Sequence, residues 1–168
     1  IDKTIAEVRS LAIRLRPGVL DDLGLVDALE WYTGDFERRT GITCVFEHAN
    51  IPPISDNVAT AAYRIAQEAL TNVVRHADAE TADVYLRYGE HNIWLDVIDD
   101  GVGFSMRLAS MDSKRPSWGL AGMEERTHEL GGKFTIESQP GEGTRVSVVI
   151  PYQGDGEEDD DDSSDVGG

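Results

Sequence analysis

The longest periodic segment of the chain lies between two breaks, and it dictates a layered fold. Pro52-Pro53 interrupts regular structure on one side, and alternating residues begin near Asp83 on the other. Between them Val58, Ala62, Ile65, Ala66, Ala69, Leu70 and Val73 recur at helical spacing. Ser55 or Asp56 stands where a helix cap is expected, and the pattern runs to about His76. Such a helix needs a second layer against which to bury its apolar stripe. That layer is legible downstream. Residues 83–88 and 92–98 read as strands with a turn at Gly89-Glu90, a hairpin. Residues 133–138 and 144–152 form a second hairpin across Gln139-Pro140-Gly141-Glu142-Gly143. A helix over 120–130 is stopped by Gly131-Gly132. Upstream, residues 42–48 read as a strand. A helix over 25–39, with Ala28, Leu29, Tyr32 and Phe36 on one face, ends at Thr40-Gly41. The expected class is α/β: a two-layer α/β sandwich, one mixed sheet with helices on one face.

The two ends differ from this body. Ile5, Val8, Leu11, Ala12 and Leu15 mark one face of a short helix, which Pro17-Gly18 interrupts. The expected division is therefore residues 1–24 as helix and linker, 25–152 as the folded domain, and 153–168 as an acidic tail. Eight of the 32 acids lie between Asp155 and Asp165 without a base, so the net charge of −17 becomes −9 for the remainder. A tail of Gly, Ser and acids cannot offset its ordering entropy by burial, and disorder is expected. The acidic body argues against non-specific nucleic-acid binding. No apolar run is long enough to span a membrane, so no membrane contact by this segment is expected. The single Cys44 excludes an internal disulfide and a cysteine-rich zinc site. It fits a reducing, cytoplasmic setting for the segment, whose parent could still be membrane-anchored. A start at Ile1 suggests a piece of a longer protein.

Chemistry concentrates at four places. Glu68, Asn72, Arg75 and His76 fall on one face of the long helix. A solvated face would explain charges, but Asn is a poor residue inside a helix. Glu and Asn one turn apart offer oxygen ligands to a hard cation such as Mg²⁺, which usually completes its shell with water and phosphate. Arg75 and His76 lie a turn on, where they could face phosphate oxygens. Next, the strand at 92–98 runs into Asp99-Asp100-Gly101-Val102-Gly103-Phe104. An ionised Asp only accepts hydrogen bonds, so it can receive the amino group of adenine, and the glycines let backbone approach a flat base. Third, Gly119-Leu120-Ala121-Gly122-Met123 opens a helix, where free amides favour phosphate. Last, Gly143-Thr144 begins the final strand; the hairpin explains its glycine but does not require the threonine.

In order and spacing these pieces resemble the ATPase fold family shared by histidine kinases, DNA gyrase, the Hsp90 chaperones and MutL-type repair proteins. Gln67-Glu68-Ala69-Leu70-Thr71-Asn72-Val73-Val74-Arg75-His76-Ala77 looks like its Asn-bearing helix, and the segment from Asp99 to Phe104 like its adenine motif. The two later glycine motifs match as well, and the resemblance covers residues 42–151. Leu15-Arg16-Pro17-Gly18-Val19-Leu20-Asp21-Asp22-Leu23-Gly24-Leu25 resembles the linker of one sensor histidine kinase subfamily, the one paired with LuxR/NarL-type response regulators. The Gly-Met-x-Glu-Arg run ending at Arg126 fits the same subfamily.

The resemblance implies a Bergerat-type ATP-binding fold preceded by the end of a dimerisation helix. It implies ATP and Mg²⁺ as ligands, with Asn72 on the metal and Glu68 beside it as the catalytic pair. Arg75, His76, Gly119 and Gly122 would border the phosphates, with Leu120 and Met123 in the same motif. Asp99 would bind the adenine amino group, Gly101 and Gly103 would shape the pocket, and Thr144 would assist through a water. Residues 104–118 would be the lid. The activity implied is that of a protein histidine kinase, passing the γ-phosphoryl group to a histidine on its own dimerisation domain in a homodimer. A LuxR/NarL-type response regulator would then be phosphorylated. No phosphoacceptor helix is recognisable in the chain, and His48, His76, His91 and His128 do not replace it, so binding without autophosphorylation and a largely monomeric state are expected. A stand-alone ATPase of this fold, a serine kinase acting on a partner protein and a nucleotide-sensing scaffold are the competing readings. A P-loop enzyme is excluded, because G-x-x-x-x-G-K-[ST] does not occur.

Overall fold

The computed structural model describes residues 18–107 and 119–154. The expected helix before Pro17, most of the expected lid and the acidic tail beyond Gly154 lie outside the described residues. Helix α1 spans Gly18–Thr40, earlier than the expected start at Leu25. The reason is a kink. Gly24 adopts φ 78°, ψ 168°, a conformation outside the helix that glycine reaches without a side-chain clash, and helical geometry resumes after it. Leu20 before the kink and Leu25, Ala28, Leu29, Tyr32 and Phe36 after it are buried in one core. Gly41, at φ 75°, ends the helix and returns its amide to the Glu37 carbonyl at 2.9 Å.

Strand β1 is Phe46–Ala49, shorter than the expected 42–48. Upstream of it Thr43 makes only an isolated bridge to Thr81. The amide of Val45 turns to the Asp83 carboxylate at 3.4 Å, which interrupts the ladder. Helix α2 spans Asp56–Asn72. Ser55 holds the cap position, but its hydroxyl bonds the Asn57 side chain at 2.8 Å and caps no amide. The helix then continues as one π turn, Val73–Ala77, closed by Asp78 at φ 50°. Strands β2, Ala82–Gly89, and β3, Asn92–Asp99, are joined through Glu90 and His91. Both turn residues have positive φ, the geometry that matches hairpin twist. Helix α3 is Leu120–Glu129, and β4, Lys133–Ser138, pairs with β5, Thr144–Pro151.

The five strands form one sheet in the order β1-β2-β3-β5-β4, with β1 and β2 parallel and the other pairs antiparallel. It is the expected mixed sheet. Val84, Leu86, Ile93, Leu95, Val97, Val146, Val148 and Ile150 alternate onto one buried face. Against it pack the apolar residues of α2, of which Ala62, Ile65, Ala66 and Leu70 have no exposure. Burying a side chain such as Ile65 or Leu70 stabilises by about 2 kcal/mol, which holds α2 against the sheet. The opposite face is polar: Asp96 there accepts hydrogen bonds from Arg145 at 3.1 and 3.2 Å.

Candidate functional site

The functional residues gather where α2 ends over the ends of β3 and β5. Alternation along β3 turns Ile93, Leu95, Val97 and Asp99 to the helices, so a carboxylate takes the last place of an apolar row. Asp99 is 8% exposed, and its Oδ1 accepts the Gly101 amide at 2.8 Å. Burial pushes its carboxyl above the ordinary 3.8, while the amides of Gly101 and Thr144 pull the other way and the Asp100 charge adds to the rise. Asp100 has the opposite fate. It faces solvent, and its Oδ1 accepts the amides of Glu80 and Thr81, both at 2.9 Å. Those bonds, that of Thr81 foremost, hold its carboxyl below the usual range. Asp100 thus ties the turn to the start of β2, and Asp99 is the carboxylate turned to the pocket.

A cavity of about 40 Å³, open to solvent on one side, lies beside Asp99. Its walls are apolar, with Val73, Val97, Ile136 and Val146 among them, and Asn72, His76, Asp99 and Thr144 supply the polar groups. Of the residues singled out in the sequence, Asn72, His76, Asp99, Gly103, Leu120 and Thr144 line it. The others stand around it. Gly101 lies under the π turn: a Cβ there would clash with the Ala77 carbonyl oxygen, and the next amide, that of Val102, bonds that oxygen at 2.7 Å. Gly103, at φ 60°, leaves a Cβ no room beside the Gln139 carbonyl, so the glycine turn and the β4–β5 hairpin interlock. Glu68, one turn before Asn72, lies against Gly119, where a Cβ would meet its carboxylate. That contact joins α2 to the start of α3. Arg75 is exposed on the π turn and does not line the cavity. Gly122 faces Arg126 along α3, and Met123 is wholly buried in the core; neither lines the cavity.

Ser138, the Ala77 carbonyl and the apolar wall add to the site residues expected from sequence. Ser138 had a visible signal: Phe134, Ile136 and Ser138 share the inward phase of β4, and only the last is polar. The role of Ala77 has no signal in composition, because its carbonyl does the work.

Among the described residues no cluster of three or more His, Cys, Asp or Glu could hold a metal. No helix there is long and apolar enough to cross a membrane. The oxygen donors Asn72 and Glu68, one turn apart, fit a magnesium ion only if phosphate and water complete its shell.

The chain is 37% identical over 153 residues to the oxygen sensor histidine kinase NreB of Staphylococcus carnosus (strain TM300), covering 90% of this chain and 43% of that protein. It is 35% identical to the signal transduction histidine-protein kinase/phosphatase DegS of Brevibacillus brevis, covering 90% and 38%. The chain thus spans less than half the length of these curated relatives. The histidine kinase domain of the Erythrobacter litoralis EL346 blue-light activated histidine kinase has the same fold. Its TM-score is 0.61 at 21% identity, over 76% of this chain and 61% of that one. Residues 57–154, from the first turn of α2 through β5, match one family throughout, and the chain belongs to it: the histidine kinase-, DNA gyrase B- and HSP90-like ATPases.

Proposed function

We propose that this chain is the catalytic part of a sensor histidine kinase: it binds Mg·ATP in the cavity beside Asp99 and presents the γ-phosphoryl group to a histidine on a dimerisation domain. The observation that carries the reading is the buried Asp99 carboxylate in an apolar cavity that Asn72 and His76 also line. An apolar slot with one acceptor at its end suits a flat base bearing an exocyclic amino group. Asp99 accepts that amino group, while Gly101 and Gly103 keep the surrounding backbone close.

At the other end, Asn72 and Glu68 would hold magnesium, with His76 and Arg75 placed toward the phosphates. Gly119 and Gly122 allow the start of α3 to lie beside them. The ion would offset the negative charge of the phosphate oxygens. The chain's own groups position the nucleotide and exclude water from the base, which is most of what phosphoryl transfer asks of a protein. In the full-length kinase, the partners in this reading are the dimerisation domain of the same homodimer and a LuxR/NarL-type response regulator. The setting is cytoplasmic.

Calorimetry of Mg·ATP binding, parent against Asp99→Asn, tests the base assignment. The parent is expected to bind one nucleotide and the variant to lose most of the affinity. Equal binding by both would remove Asp99 from the site.

A further inference from the structure

The hydroxyl of Ser138 meets three polar atoms, each at 2.9 Å: the Phe104 amide nitrogen, the Gly143 carbonyl oxygen and the Thr144 hydroxyl oxygen. The residue is 8% exposed, so water has little access to substitute for any of them. Proton bookkeeping leaves one arrangement. A hydroxyl has one proton and two lone pairs. The Gly143 carbonyl can only accept, so it takes the Ser138 proton. The Phe104 amide can only donate, so it occupies one lone pair. The second lone pair faces Thr144, whose hydroxyl must then be the donor. Thr144 thereby commits its single proton to Ser138, and only lone pairs of its oxygen remain for the cavity.

Thr144 and Asp99 are direct partners across β5 and β3, and both line the cavity. We propose that Ser138 is a specificity-determining positioning residue: by fixing the direction of the Thr144 hydroxyl it makes this end of the cavity acceptor-only, selecting 6-amino over 6-oxo purine nucleotides. The inference rests on the nucleotide-site reading above and deepens it. A 6-amino purine brings N–H donors directly to the two acceptors. A 6-oxo purine brings a carbonyl oxygen, which finds no donor in either side chain. With Ser138 removed, the Thr144 proton is free to turn toward that carbonyl. Discrimination then rests on Asp99 alone.

The experiment is calorimetric titration of the parent, Ser138→Ala and Ser138→Cys with Mg·ATP and Mg·ITP. The readout is the ratio of the two dissociation constants. That ratio is insensitive to a general loosening of the hairpin, which weakens both nucleotides together. A strong preference for ATP is expected in the parent. The ratio should narrow roughly three- to tenfold in Ser138→Ala, the worth of one hydrogen bond. Ser138→Cys keeps the shape but accepts a proton poorly, and it should move the ratio the same way; it decides the matter if the alanine variant does not fold. An unchanged ratio in the folded variants overturns the role of Ser138 while leaving the site intact. A parent that binds ITP as well as ATP overturns the base-reading assignment itself.

Discussion

A carboxylate that burial has stripped of water favours its protonated form, and Asp99 is in that position in the free chain. Desolvation raises its carboxyl above 3.8, and the amides of Gly101 and Thr144 recover only part of the cost. Between the unfolded and the folded titration points the folded chain holds a proton that the unfolded chain has released. Stability of the free chain therefore falls as pH rises through that window, and the loss persists to neutral pH. Asp99→Asn keeps an oxygen to accept the Gly101 amide and removes the charge. The variant should unfold at a higher urea concentration than the parent at pH 7, with the advantage shrinking as pH approaches 4. A constant difference in urea midpoint across that range would contradict the assignment. The choice between Asp99 and Asp100 was legible in principle, since counting from Ile93 by twos reaches Asp99 on the inward face. What adjacent letters do not carry is the pair of backbone amides, from Glu80 and Thr81, that holds Asp100 outside.

Among the elements, the helices and hairpins were legible because each has a strong period and a chemical stop. Phe36 through Gly41 ends α1 as its residues predict, and the stripe from Val58 to Val73 is the buried face of α2. The π turn was not legible. Val73 and Ala77 are four apart, a spacing that α and π geometry both bury, so hydrophobic pattern cannot separate them. Geometry at the functional end depends on the difference. The π turn delivers the Ala77 carbonyl to the Val102 amide, seats Gly101 beneath it and leaves His76 on the cavity wall. It closes on Asp78 at φ 50°, a conformation that aspartate tolerates and a β-branched residue does not. Asp78→Val should cost about 1–2 kcal/mol by urea denaturation. It should also weaken ATP binding, because the glycine turn hangs from the same carbonyl. Asp78→Gly, which reaches positive φ freely, should spare both. If the valine variant loses stability but binds ATP normally, the π turn is a helix ending and nothing more.

At the scale of the molecule, the sheet and its helices carry the proposed nucleotide site at one end, and the proposed transfer needs an acceptor that reaches it. None of the four histidines meets that need within the chain. His48 is exposed on β1, and His91 lies in the β2–β3 turn at φ 57°. His128 is in the last turn of α3, and His76 alone lines the cavity. His76 rides on the π turn at the wall of the cavity proposed to hold the nucleotide, so the fold that would place the phosphates also fixes its position. An in-line acceptor has to approach along the bond being broken, from outside. The acceptor is therefore expected on a separate helical element, consistent with relatives more than twice as long as the matched segment. Incubated with γ-labelled ATP, the chain should take up no lasting label. Mixed with a dimeric, histidine-bearing helical domain from a kinase of the same family, it should label that domain. Transfer should be lost on substituting the domain's histidine and in Asn72→Ala of this chain, and should need magnesium. Label on the chain itself that disappears in His76→Ala would make the cavity histidine an acceptor. ATP binding without transfer to any supplied domain would instead favour a nucleotide-sensing role.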